Sequence, residues 1–245
     1  LDENGTARFT ADTQLMLLSA NGILFAHTRG ALRGIMAPVY QYFDAFYMDW
    51  YRLQTTERAS RSRVGWINAY PALSAKRAPS PTSMRVFSSD KFGSMDEPVN
   101  DSKGSGCLLR AVPIGLSYSD APAYILDLAA NTAALTHGNE VAWVASGVLA
   151  LIISLIIHQE LSIAEAVNET LKALDKSFPD SRKAVHELLS SIWSARPLAT
   201  SASSDLDAIH ALGEGWVANE ALAIGILCAL RHENDIAGAM TFAAN

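Results

Sequence analysis

The sequence has few cysteines, few charged residues and no long run of alternating β-branched residues. Its two cysteines, Cys107 and Cys228, are far apart, and neither has the CxxC or CxH spacing of a zinc site. This argues against a disulfide-stapled scaffold and predicts a reducing, cytoplasmic location. No basic stretch followed by an apolar run opens the sequence, so we expect no secretory signal in it.

Positive charge is scarce: 19 Lys and Arg stand against 25 Asp and Glu. Proteins that wrap nucleic acid usually present a basic face, so we expect no nucleic-acid partner. The exception is the segment 52–85, where seven basic residues accompany only Glu57. Two interpretations stay open, a solvated surface or one that attracts a phosphate-bearing ligand or an acidic partner.

Charge is absent from residues 141–159, and this segment is strongly apolar. Its length is near the lower limit for a membrane-spanning helix. However, Ser146, Gly147, Ser154 and His158 interrupt it, and neither an aromatic belt nor a basic cluster flanks it. We therefore expect a helix buried in a helical core, and no membrane partner.

Most of the chain has the three- and four-residue apolar spacing of helices. A first helix follows an N-cap at Asp12-Thr13, Pro122 lies in a first turn, and Ser162 with Glu165 forms a capping-box pattern. Helices are predicted at 33–53, 121–135, 139–158, 162–175, 181–192 and 216–230. Residues 75–105 are predicted to form a ligand-binding loop and 196–204 a linker. We therefore expect one all-α domain over residues 1–245.

Two short segments have side chains suited to binding. Thr10 and Asp12 offer the hard oxygen ligands that Mg²⁺ or Mn²⁺ prefers, although Asp12 could instead only cap a helix. Gly104 and Gly106 flank Ser105, with Lys103 before them, and this loop is either a turn or an anion cradle.

His137 precedes a glycine between two predicted helices. It could present its imidazole to a ligand or make one structural hydrogen bond. Both interpretations stay open on the residues alone.

Five segments, in order, resemble motifs of the ADP-ribosylglycohydrolase family. Phe9-Thr-Ala-Asp-Thr-Gln14 resembles the metal motif, and Arg77-Ala-Pro-Ser-Pro-Thr82 resembles an Arg-Ala-Pro loop. Residues 100–106 are similar to the loop that holds the ADP-ribose phosphates, and Thr136-His-Gly138 to the ribose pocket. Residues 213–222 are similar to the start of a late helix.

The resemblance implies an orthogonal all-α bundle that hydrolyses the bond between ADP-ribose and a protein side chain, often arginine. It implies a binuclear Mg²⁺ or Mn²⁺ centre, with Thr10 and Asp12 as metal ligands and Asp12 in catalysis. The diphosphate would be held by Asn100, Lys103, Gly104, Ser105 and Gly106, and His137 would border the ribose. The partner would be ADP-ribose or an ADP-ribosylated protein.

The sequence departs from the family pattern at Ala11, where the metal motif has the first of two adjacent carboxylates. The family's Gly-Asp-Ala-Leu-Gly and Gly-Asp-Ser-Asp segments also have no counterpart in residues 1–245. Either the sequence is a fragment of an enzyme, or the protein is catalytically depleted. The alternative function is an ADP-ribose-binding or immunity protein that blocks an ADP-ribosylating toxin.

Overall fold

The computed structural model describes residues 8–35, 37–55 and 65–244. In these ranges the chain is helical, and its β pairing is limited to one isolated bridge between Gly104 and Val217. The α-helices are α1 (Ala11–Arg33), α2 (Tyr40–Thr55), α3 (Pro71–Ser74), α4 (Pro81–Ser89), α5 (Val112–Ser117), α6 (Pro122–Ala134), α7 (Glu140–Gln159), α8 (Ile163–Ser177), α9 (Arg182–Ala199), α10 (Asp205–His210), α11 (Ala218–Arg231) and α12 (Ile236–Ala244). Two 3₁₀ segments, Trp66–Ala69 and Ser105–Ala111, complete them. The predicted all-α fold is confirmed.

The long apolar segment forms α7, which packs against α5, α6, α8, α9, α11 and the second 3₁₀ segment. The Asn139 side chain caps its start, and Glu160 ends it in the left-handed conformation. By length and composition α7 could cross a membrane, yet 72% of its apolar window is buried inside the fold. The prediction of a buried core helix is confirmed.

Two predicted helix boundaries near the start of the chain are wrong. The Thr10 side chain, rather than Asp12-Thr13, caps α1 by accepting the N–H of Thr13. The helix predicted at 33–53 is divided because Gly34 ends α1 in the left-handed conformation, with φ of 69°, and α2 begins only at Tyr40.

Two segments predicted to be irregular are partly helical. The stretch 75–105 contains α4, which begins with Pro81 in its first turn. The linker predicted at 196–204 begins later, because α9 continues through Pro197 to Ala199. In contrast, the predicted capping box of Ser162 and Glu165 is present at the start of α8.

The second 3₁₀ segment, Ser105–Ala111, lies where several helices meet. It packs against α1, α5, α6, α7 and α11. Backbone hydrogen bonds join the residues around its start to those around the start of α11: Ala218 donates to the Lys103 carbonyl over 2.8 Å, and Ser105 donates to the Trp216 carbonyl over 3.0 Å. The glycine-rich loop, the start of α1 and the α6–α7 junction therefore lie close together.

Candidate functional site

A cavity of about 780 Å³ opens where these elements meet. Its polar lining consists of Asp12, Ser80, Thr82, Gly104, Ser105, Gly106 and His137. The apolar lining includes Leu108, Leu109, Leu149, Ile152, Ile156, Ile163, Trp216, Leu222 and Ile226. Concave sites with mostly apolar walls and a few polar groups are typical of small-molecule binding, and this volume is sufficient for a dinucleotide-sized ligand.

Five of the predicted site residues come together on this cavity: Asp12, Gly104, Ser105, Gly106 and His137. The distances around Gly106 show how close they are. A methyl group built on Gly106 would lie 3.8 Å from His137 Nε2 and 3.9 Å from Asp12 Oδ1. The carboxylate and the imidazole thus border the same glycine, although Asp12 and His137 are 125 positions apart along the chain.

Three predicted site residues do not line the cavity. Thr10 Oγ1 accepts the N–H of Thr13 over 3.1 Å and is used as the cap of α1. Lys103 Nζ donates to Glu187 Oε1 over 2.6 Å and lines a separate, smaller cavity. Their predicted metal and diphosphate roles stay predictions.

Asn100, the third, holds the glycine-rich loop against the α6–α7 junction. Its Oδ1 accepts the N–H groups of Ser102 and Gly138, each over 3.0 Å, and its Nδ2 donates to the Thr136 carbonyl over 2.9 Å. Its side chain therefore acts structurally in the fold, and its predicted ligand role stays a prediction.

The backbone of the glycine-rich loop is less free to bind an anion than the sequence suggests. The N–H of Gly104 donates to Ser102 Oγ over 3.3 Å, and that of Ser105 donates to the Trp216 carbonyl. These two N–H groups are therefore already used, and the hydroxyls of Ser80, Thr82 and Ser105 are further donors on the cavity wall.

A buried guanidinium lies behind the polar lining. Arg110 is 0% exposed, and it donates to Thr136 Oγ1 over 2.7 Å, to Ser83 Oγ over 3.1 Å and to the Gly106 carbonyl over 3.2 Å. Sequence analysis did not predict that Arg110 is buried. Its neighbours in sequence give no signal of this burial, because Leu109 and Leu116 in the same apolar run are 41% and 50% exposed.

Burial and Arg110 together set the protonation of the site. Burial raises the pKa of Asp12, and the positive charge of Arg110 lowers it in part. For His137, burial and then the charge of Arg110 both disfavour the imidazolium, and they lower its pKa to about 3. His137 is therefore a neutral ring at ordinary pH, beside a carboxylate that burial makes easier to protonate.

The residues of the described ranges do not fit a binuclear metal centre by themselves. No group of three or more His, Cys, Asp or Glu that could hold an ion occurs in these ranges, and Asp12 is the one carboxylate on the cavity wall there. Ala11, which stands where the metal motif has the first of its two carboxylates, is 4% exposed and packs in the core. Two divalent ions need more anionic charge than one carboxylate supplies.

Sequence reasoning gave no role to Ser80, Thr82 and Trp216, which also line the cavity. All three lie in segments quoted for the resemblance, 77–82 and 213–222, and this is the signal that could have identified them. The basic segment 52–85 contributes no described basic side chain to the cavity. Arg58, Arg61 and Arg63 lie outside the described residues.

Comparison with known proteins identifies one family. The family model for ADP-ribosylglycohydrolase matches residues 2–245. A search of curated proteins finds no match.

Proposed function

The chain belongs to the ADP-ribosylglycohydrolase family, and we propose that its cavity binds ADP-ribose attached to a protein arginine and hydrolyses that bond. The observation that carries the proposal is the meeting of Asp12 and His137 at Gly106 on a cavity of dinucleotide size. A cytoplasmic location, which the two free and buried cysteines suit, is part of the proposal.

In this reaction the bond between ribose C1″ and the guanidine nitrogen breaks. A water oxygen forms a new bond to C1″, and the proton that the water loses balances the proton that the leaving guanidine gains. Positive charge develops on the ribose ring in an oxocarbenium-like transition state. The Asp12 carboxylate, on the cavity wall, is the group suited to stabilise this charge electrostatically.

The remaining lining residues would bind the rest of ADP-ribose. His137 would donate to a ribose hydroxyl, and the Ser80, Thr82 and Ser105 hydroxyls to the diphosphate. Trp216, which is 76% exposed, would stack on the adenine ring at the mouth of the cavity.

The family is generally metal-dependent, and Mg²⁺ or Mn²⁺ at Thr10 and Asp12 stays a proposal for this chain. The described residues supply one carboxylate to the cavity, so they do not by themselves complete a binuclear centre.

A second candidate function is binding of ADP-ribose without turnover, as in an immunity protein that blocks an ADP-ribosylating toxin. The single carboxylate on the described wall favours it, because glycoside hydrolysis usually employs two carboxylates or metal-bound water.

Isothermal titration with ADP-ribose, followed by incubation with an arginine-ADP-ribosylated protein in Mg²⁺ or Mn²⁺, tests both candidates. Binding with release of ADP-ribose supports the hydrolase. Binding without release supports the second candidate, and no heat from a folded sample at millimolar ADP-ribose contradicts both.

A further inference from the structure

A buried chain of polar groups leads from Arg110 to the cavity. Arg110, Thr136 and His137 are each at most 1% exposed. Arg110 Nη1 lies 2.7 Å from Thr136 Oγ1, which in turn lies 2.9 Å from His137 Nδ1. The other ring nitrogen, Nε2, would lie 3.4 Å from a methyl group built on Gly104, on the cavity side.

The direction of these hydrogen bonds follows from the chemistry of their donors. A guanidinium has no acceptor, so Thr136 Oγ1 must accept from Arg110. The hydroxyl hydrogen of Thr136 then has one acceptor among the described residues, His137 Nδ1. The reverse arrangement, with a proton on Nδ1, would leave that buried hydroxyl hydrogen without an acceptor.

We propose that Arg110 is a positioning residue that, through Thr136, fixes His137 in the tautomer with its proton on Nε2. The imidazole is then a permanent hydrogen-bond donor directed into the cavity. For Nε2 itself the described residues contain no hydrogen-bond acceptor, so an acceptor has to come from the ligand or from water. Only the identity of that acceptor, a ribose hydroxyl oxygen, rests on the proposed function.

Burial and, after it, the positive charge of Arg110 also keep His137 neutral over the ordinary pH range. A second positive charge on His137, buried beside the guanidinium, is disfavoured by burial and by repulsion, which lower the pKa of His137. Asp12 is the described carboxylate on the same cavity, and no ion pair joins it to the ring. Ligand recognition by His137 therefore requires an acceptor atom, and a donor at that place would be rejected.

The tautomer can be read directly by nitrogen NMR of protein labelled with ¹⁵N-histidine. Six histidines give six ring patterns, and the pattern that His137→Gln removes belongs to His137. We expect Nε2 protonated and Nδ1 unprotonated, without change between about pH 5 and 8. A protonated Nδ1 in the unmodified chain would overturn the proposal.

Three variants test the chain of hydrogen bonds from Arg110 through Thr136 to His137, which we call the relay. Thr136→Val and Arg110→Met should each produce a mixture of tautomers, whereas Thr136→Ser, which keeps the hydroxyl, should restore the pattern. Thr132→Val is the matched control, because Thr132 is equally buried and its hydroxyl donates to the Leu128 carbonyl, away from His137. If Arg110→Met does not fold, Thr136→Val decides alone, and an unchanged tautomer in it would refute the relay.

Ligand affinity separates this proposal from the proposed function. Thr136→Val should weaken ADP-ribose binding about tenfold, and Thr136→Ser should restore it. If ADP-ribose binds no variant while the tautomer follows the relay, the assignment of the ligand is wrong and the role of Arg110 stands. Equal affinity of Thr136→Val and the unmodified chain, with a changed tautomer, would contradict the donor role of His137.

Discussion

Gly138 is the position where a single methyl group should disturb the site most. A Cβ built there would lie 1.8 Å from the carbonyl oxygen of Asn100 and 3.0 Å from Pro98 Cβ. Because the nearest contact is backbone, either the loop or the α6–α7 junction must move. That movement would break the bond from Gly138 N–H to Asn100 Oδ1 and the bond from Asn100 Nδ2 to the Thr136 carbonyl.

We expect Gly138→Ala to lower the free energy of unfolding by about 3 to 5 kcal/mol. Overpacking a filled site costs about 1–3 kcal/mol, and each lost hydrogen bond about 1 kcal/mol. Urea unfolding followed by circular dichroism measures this change, and ADP-ribose affinity should fall as His137 moves with its neighbour.

Gly225→Ala is the matched control. Gly225 lies inside α11 and also lines the cavity, but a methyl group built on it would have no neighbouring atom within 4 Å. Alanine there should stabilise the helix by about 0.5–1 kcal/mol. A free energy of unfolding of Gly138→Ala within about 0.5 kcal/mol of that of the unmodified chain, or equal destabilisation by the two substitutions, would contradict the close contact at Gly138.

Three further predictions follow from the site. In the folded state the pKa of His137 is about 3, whereas its ordinary value is 6.5. Below about pH 6.5 the unfolded chain therefore binds a proton at His137 that the folded chain does not, and the free energy of unfolding falls by about 1.4 kcal/mol per pH unit towards pH 3. The stability difference between the unmodified chain and His137→Gln should therefore shrink by about 2 kcal/mol from pH 6.5 to 5, and a constant difference in urea unfolding would contradict this. Gly104→Val should weaken ADP-ribose binding by about 1–3 kcal/mol, because the new side chain begins 3.4 Å from His137 Nε2; unchanged titration heats would show that the loop does not contact the ligand. Ala11→Asp buries a carboxylate and should therefore lower the melting temperature in the presence of a chelator. Adding Mg²⁺ or Mn²⁺ should raise the melting temperature of Ala11→Asp more than that of the unmodified chain, and an equal rise in both proteins would place Ala11 away from any metal site.

Local chemistry explains which elements could be predicted from the sequence. The apolar run of α7 and the capping box of α8 depend on residues within a few positions of one another. The cap of α1 was misplaced because Thr10, Asp12 and Thr13 are all capable caps, and packing rather than composition selects among them. The division after Arg33 depends on Gly34 adopting a left-handed conformation, which a periodic apolar pattern does not reveal.

The cavity was predicted in part, for a different reason. Motif resemblance identified Asp12, the glycine-rich loop and His137, which the fold brings together. It did not indicate that Lys103 forms an ion pair with Glu187, which is 84 positions away. The burial of Arg110 is likewise a property of the packed helices and not of its neighbours in sequence.

Release of ADP-ribose from an arginine-modified protein tests the central claim most directly. The unmodified chain and Asp12→Asn would each be incubated with the substrate in Mg²⁺ or Mn²⁺, with free ADP-ribose measured over time. We expect release by the unmodified chain and a loss of roughly 10²–10⁴-fold in Asp12→Asn, because the carboxylate that faces the developing charge is neutralised. No release by the folded unmodified chain, or equal rates for the two proteins, would contradict hydrolysis at this cavity.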